Sequence, residues 1–111
     1  MAVNRGEVWL IDLNPVIGHE QSGRRPALVI SDDRFNSSPA DLVIVIPITS
    51  KYKGIPTHVE FENDYLKTKS FIKTEDIRSV STKRLVKKLG IVDSRTMVLV
   101  EERVKYLLGL V

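Results

Sequence analysis

The segment Leu42 to Ile48 reads LVIVIPI, seven consecutive residues without a charged or hydrogen-bonding side chain and rich in β-branched ones. It is too short for an apolar helix, and β-branching favours the pleated conformation, so it predicts a strand. A strand with no polar face must be covered on both sides. A chain of 111 residues is one domain by size, residues 1–111, and this is its most buried segment. Pro47 lacks an N–H, so the strand is expected to leave its ladder, bulge or lie at an edge there, just before Thr49 and Ser50.

The rest of the chain supplies partners for such a strand. Gly6 to Leu13 (GEVWLIDL) reads as a strand closed by the turn signal Asn14-Pro15. A polar loop follows to Arg25, and Pro26 to Ser31 (PALVIS) returns as a second apolar strand with Pro26 at its first position. Asp32 to Asp41 is a loop with room for one short helical turn, and Lys51 to Pro56 is another loop. Thr57 to Glu62 alternates like a strand with one wet face. Ser70 to Lys73, Arg78 to Ser81 and Val86 to Val92 are three further short strands, the last interrupted by Gly90. The period then changes. After an N-cap at Asp93 or Ser94, Met97, Val100, Val104, Leu107, Leu108 and Val111 recur at helical spacing, and Tyr106 to Val111 reads as an apolar packing tail. The expected fold is mainly β with a C-terminal helix, a small and strongly bent sheet or barrel.

Composition excludes several classes of function. Cysteine is absent, and His19 and His58 are the only imidazoles, so disulfides, thiolate metal sites and a zinc cage are not expected, nor is any cofactor. No segment approaches the roughly 20 apolar residues of a bilayer span, and the N-terminus lacks the apolar core of a secretion signal, so a cytoplasmic protein without membrane contact is expected. The net charge of +3 is unevenly spread. Between Tyr65 and Arg95, Lys67, Lys69, Lys73, Arg78, Lys83, Arg84, Lys87, Lys88 and Arg95 face only Glu75, Asp76 and Asp93. Such an excess suits a polyanionic partner, and equally a solvated basic face.

Chemistry is concentrated in Gly18 to Ile30 (GHEQSGRRPALVI), where His19, Glu20, Gln21, Arg24 and Arg25 share a loop that feeds a buried strand. Arginine's planar fork matches a phosphate and stays charged at any working pH. Thr49 and Ser50 end a strand able to pair near the second one. Each residue alone has an ordinary reading: Arg25 paired with Glu20 or Asp12, His19 a loop residue, Thr49-Ser50 a hydroxyl turn. Together they are the parts needed to cleave RNA without metal. A base takes the 2'-OH proton, a cation stabilises the phosphorane, and an acid protonates the leaving 5' oxygen.

The stretch RGEVWLIDLNPVIGHEQSGRRPALVIS, with Pro47 to Ser50 (PITS) and Glu75 to Leu85 (EDIRSVSTKRL), resembles the MazF/PemK (Kid) toxins of type II toxin-antitoxin systems. The likeness runs from Arg5 to the terminal helix, and its G-H-E-Q-x-G-x-R-P core is specific. It implies a PemK/CcdB-like small β-barrel of SH3-like character, a homodimer, and a sequence-specific, metal-independent endoribonuclease (mRNA interferase). Such an enzyme cleaves single-stranded mRNA to 2',3'-cyclic phosphate and 5'-hydroxyl ends, arresting translation and growth. A cognate MazE/PemI-like antitoxin is implied as well. Carried over by position, Arg25 and Thr49 match catalytic residues of the family, and His19 matches a histidine that some members use as acid or base. Glu20, Gln21, Ser50, Lys73, Glu75 and Arg78 are the implied RNA contacts. Lys73 and Glu75 stand where Kid-type members have arginine and aspartate, and lysine is a point charge rather than a fork. The alternative within the same fold is a CcdB-like toxin that poisons DNA gyrase without catalysis.

Overall fold

The apolar run at Leu42 lies in the middle of a sheet of seven antiparallel strands. The structure, a computed structural model, describes residues 2–13 and 23–111. Its strands are β1 (Glu7–Asp12), β2 (Arg24–Val29), β3 (Leu42–Thr49), β4 (His58–Phe61), β5 (Ser70–Lys73), β6 (Arg78–Ser81) and β7 (Leu85–Ile91). A four-residue helix α1 (Asp33–Asn36) forms in the loop after β2, capped by Asp32, and α2 (Ser94–Leu107) closes the chain. The sheet runs β4, β5, β3, β2, β1, β7, and β6 also pairs with β3.

β3 carries this topology because it exchanges partners along its length. On one side Val45, Ile46 and Pro47 face β2. On the other, Leu42 to Val45 face β6, and Ile48 and Thr49 face β5. Pro47 therefore falls in the gap where the second partner changes, and its missing N–H interrupts neither of those ladders.

β2 begins two residues before the expected start at Pro26. The Leu13 N–H donates to Gly23 O, and hydrogen-bonded pairs alternate along an antiparallel ladder. Arg25 opposite Ile11 is then a hydrogen-bonded pair, whereas Pro26 opposite Leu10 is not. The proline's donor-less nitrogen points away from β1, beyond the end of the β2–β3 ladder, and the strand passes through it unharmed.

Two apolar clusters explain why β2 and β3 have no wet face. Alternation sends Ala27, Val29, Val43 and Val45 into one, with Trp9, Ile11 and Leu85. Leu28, Ile46 and Ile48 enter the other, with Val8, Phe61, Ile72 and the helix residue Val100. α2 is placed over this second cluster by an Asp93 N-cap, whose carboxylate accepts the Thr96 N–H at 2.8 Å. The helix ends in a Schellman motif: the Leu110 N–H reaches Lys105 O at 2.8 Å, the Gly109 N–H reaches Tyr106 O, and Gly109 takes φ of +69°.

The tail differs from its expected packing role. Tyr106, Leu110 and Val111 are 69%, 68% and 90% exposed, because the helix outruns the sheet beyond Val104. β7 runs on through Gly90 as one strand, but its ladder with β1 is interrupted beside it, where the pairing shifts from Val8–Gly90 to Trp9–Lys88. The place of Gly90 is set by the Tyr65 ring, which would lie 2.4 Å from a Cβ at that position.

Candidate active site

The β2–β3 ladder sets Ala27 opposite Pro47, Leu28 opposite Ile46 and Val29 opposite Val45. The ladder ends at Ala27 and Pro47, and the two strands run on to Arg25 on β2 and Thr49 on β3, which line one cleft. By alternation both belong to the sheet face of Ala27 and Val45. A cleft of about 260 Å³ opens at these strand ends. Arg24, Arg25 and Pro26 form one wall, Ile48 to Lys51 the second, and Leu66 to Thr68 with Ser70 the third.

Two neighbouring arginines at the cleft are used differently. Arg24 Nε approaches Asp12 Oδ2 at 3.8 Å, an exposed and weak pair. Arg25 is half-buried, and its Nε is buried without a hydrogen-bond partner among the described residues. A buried donor left unmade is unfavourable by about 1–3 kcal/mol, so the position favours any anionic oxygen that enters. Across from it, the Thr49 hydroxyl oxygen accepts the Lys51 N–H at 3.1 Å, which leaves its proton free to be donated into the cleft. With Lys51 and Lys67 beside them, these groups place a guanidinium fork, two ammonium groups and hydroxyls in one cleft, chemistry that suits an anion.

Of the residues expected from sequence, Arg25, Thr49 and Ser50 come together here. His19, Glu20 and Gln21 lie outside the described residues. Lys73, Glu75 and Arg78 do not line the cleft. Lys73 is at the far end of β5 from Ser70, and its Nζ pairs with Asp76 at 2.9 Å. The Glu75 carboxylate accepts from Thr57 Oγ1 and meets His58 Nε2, both at 2.8 Å. Burial pushes this carboxyl up, but the hydrogen bonds from its own backbone N–H, Thr57 and His58 outweigh that and hold it below the ordinary carboxylate range. Glu75 is thus an ionised anchor for the start of β4. Arg78 sits on β6 opposite Val45.

Lys51, Lys67, Thr68 and Ser70 line the cleft without having been singled out. Lys67 was visible only as one member of the basic stretch, because its wall is brought in by long-range contacts of Tyr65. Among the described residues, no group of three or more His, Cys, Asp or Glu side chains is placed to hold a metal ion, and no helix is long and apolar enough to cross a membrane.

Residues 4–108 match the family described as PemK-like, MazF-like toxin of type II toxin-antitoxin system. The chain is 39% identical to the endoribonuclease EndoA of Bacillus subtilis (strain 168), over 100% of its own length and 98% of that protein. Its fold is similar to the crystal structure of MazF from Deinococcus radiodurans, with a TM-score of 0.85, 28% identity and 98% of each chain covered. It is also similar to a mycobacterial endoribonuclease solved in complex with its cognate antitoxin, with a TM-score of 0.83, 26% identity, and 99% of this chain and 98% of that one covered.

Proposed function

The chain belongs to the PemK-like, MazF-like toxin family of type II toxin-antitoxin systems, and on that premise we propose that it is an endoribonuclease that cuts single-stranded mRNA at the Arg25–Thr49 cleft. The observation that carries the reading is the Nε of Arg25, buried and without a partner among the described residues, in one cleft with a threonine hydroxyl whose proton is free to donate. A phosphodiester entering the cleft supplies the acceptor that Arg25 lacks.

The chemistry is an internal transesterification. The 2' oxygen attacks phosphorus, its proton passes to a base, the P–O5' bond breaks, and O5' receives a proton. No water or metal enters this step, and the products are a 2',3'-cyclic phosphate and a 5'-hydroxyl. Arg25 stabilises the extra negative charge of the phosphorane, where a fixed cation acts most strongly. Thr49 donates to a non-bridging or leaving oxygen. His19, carried over by position, is the candidate proton carrier. Ser50 contacts the backbone from the adjoining position. Glu20 and Gln21 are assigned to RNA contact on the family resemblance, and Lys73 and Arg78 to a more distant part of the strand.

The proposed assembly is a cytoplasmic homodimer silenced by a cognate antitoxin. The basic excess from Tyr65 to Arg95 suits an acidic, flexible antitoxin segment that competes with RNA. Incubating purified protein with a mixed-sequence RNA in EDTA and mapping the ends tests the activity. Discrete cuts with 5'-hydroxyl and cyclic-phosphate termini are expected. Intact RNA, or cleavage only after divalent metal is added, overturns the reading.

A further inference from the structure

The third wall of the cleft is built with more care than a surface loop requires. It belongs to the connection between β4 and β5, residues 62–69, which is pinned at several points. Asn63 Oδ1 accepts the backbone N–H of Tyr65 at 3.2 Å and of Leu66 at 2.7 Å, an Asx turn that starts the bend. Tyr65 then lays its ring on Gly90 of β7, where even a Cβ would lie 2.4 Å from it, and its hydroxyl donates to Ile91 O at 2.8 Å. Tyr65 and Leu66 pack against the second apolar cluster. Burial, helped by the charge of Asp64, pushes the Tyr65 phenol up to about 12, so it remains a hydrogen-bond donor throughout the working range. At the far end Lys69 Nζ meets Glu60 at 3.7 Å, and Ser70 Oγ donates to Thr68 O at 2.9 Å. Of the four residues of this wall that line the cleft, Leu66, Lys67, Thr68 and Ser70, Lys67 and Thr68 are the exposed ones.

We propose that Lys67 binds an RNA phosphate adjoining the scissile one, and that Tyr65, seated on Gly90, is the positioning residue that holds Lys67 at the cleft opposite Arg25 and Thr49. The inference rests on the ribonuclease reading above. An ammonium on a long stem has rotamer freedom to lose, so fixing its Cα relative to the strand ends is the lever the fold has over it. Lys69 does not line the cleft, which leaves Lys67 as the cation of this wall that does. Its contact is made in ground and transition states alike, and so it acts on KM rather than on kcat.

The test measures RNA binding and cleavage for wild type, Lys67→Ala, Lys67→Arg, Tyr65→Phe and the Tyr65→Phe/Lys67→Ala double variant. Binding uses an oligonucleotide carrying 2'-deoxy sugars, which lacks the nucleophile, over a salt series. Lys67→Ala is expected to raise KM about tenfold at low salt with kcat within about twofold, and to flatten the plot of log affinity against log salt by about 0.7. Lys67→Arg should restore the slope. Tyr65→Phe keeps the ring on Gly90 and removes the hydroxyl that donates to Ile91 O; it should raise KM about threefold in the wild-type background and not at all in the Lys67→Ala background. An unchanged slope and KM in Lys67→Ala, or multiplicative effects of the two substitutions, overturns the inference. If wild type cleaves and Lys67→Ala matches it, this inference alone fails; if wild type neither binds nor cleaves RNA, the ribonuclease reading falls and takes this one with it.

Discussion

Replacing Arg25 should separate stability from activity, and the direction of the stability change comes from its buried Nε. That atom lacks an acceptor among the described residues, which is unfavourable by about 1–3 kcal/mol, and the residue is only half-buried, so the lower end of that range applies. Arg25→Met retains a stem of similar length and removes the donor, so it should raise stability by about 1 kcal/mol, or Tm by roughly 4 °C in a domain of this size. Arg25→Ala also removes stem methylenes, each contributing about 0.8 kcal/mol when fully buried, so its net effect should lie near zero. Cleavage should respond in the opposite sense. Loss of one donor aimed at transition-state charge lowers kcat about 10²–10³-fold, equivalent to about 2.7–4 kcal/mol, and Arg25→Lys should recover only part because it keeps charge without the fork. Denaturant melts and single-turnover cleavage on the same preparations decide it. An Arg25→Met protein that is less stable than wild type by more than about 1 kcal/mol, or that cleaves within threefold of it, refutes the reasoning.

Three further outcomes are expected. Glu75 has its folded pKa lowered, so its contribution to stability is present above the unfolded value of about 4.3 and lost as pH falls through the folded value; Glu75→Gln should therefore show a flatter acid limb in denaturant melts from pH 6 to 3, and an identical limb would mean the Thr57–His58 contacts do not favour the ionised form. Asp93→Ala removes the N-cap of α2 and should lower stability by about 1 kcal/mol, with Asp93→Asn close to wild type; equal losses in the two variants would point away from capping. Gly90→Ala should be destabilising by about 1–3 kcal/mol through overlap with the Tyr65 ring, and a Tyr65→Ala background should absorb most of that loss; strictly additive melts would place the strain elsewhere.

Much of the sheet was legible because β2 and β3 are covered on both faces, which writes burial into sequence as runs of Val, Ile and Leu. The helix was legible from its period and its Asp93 cap. The start of β2 was harder, since a proline inside a strand is harmless only in a particular hydrogen-bonding phase, and that phase is a property of the pairing with β1. Sequence placed Thr49 near the second strand, but only the pairing of β2 with β3 brings it into one cleft with Arg25. The Lys67 wall was not legible at all. It depends on Tyr65 meeting Gly90, two residues far apart in the chain, and Gly90 read alone as a break in β7. The tail from Tyr106 misled for the converse reason: helical spacing of apolar residues continues past the point where the sheet beneath α2 ends.

The most direct measurement of where cleavage occurs is a crystal structure with a short RNA made inert by a 2'-deoxy sugar at the cleaved position. The scissile phosphate is expected in the cleft between β2, β3 and the β4–β5 connection, with the Arg25 guanidinium on a non-bridging oxygen and the Thr49 hydroxyl within hydrogen-bond reach. A scissile phosphate seated instead at Lys73 and Glu75, at the other end of β5, with Arg25 still unpartnered, would contradict the assignment.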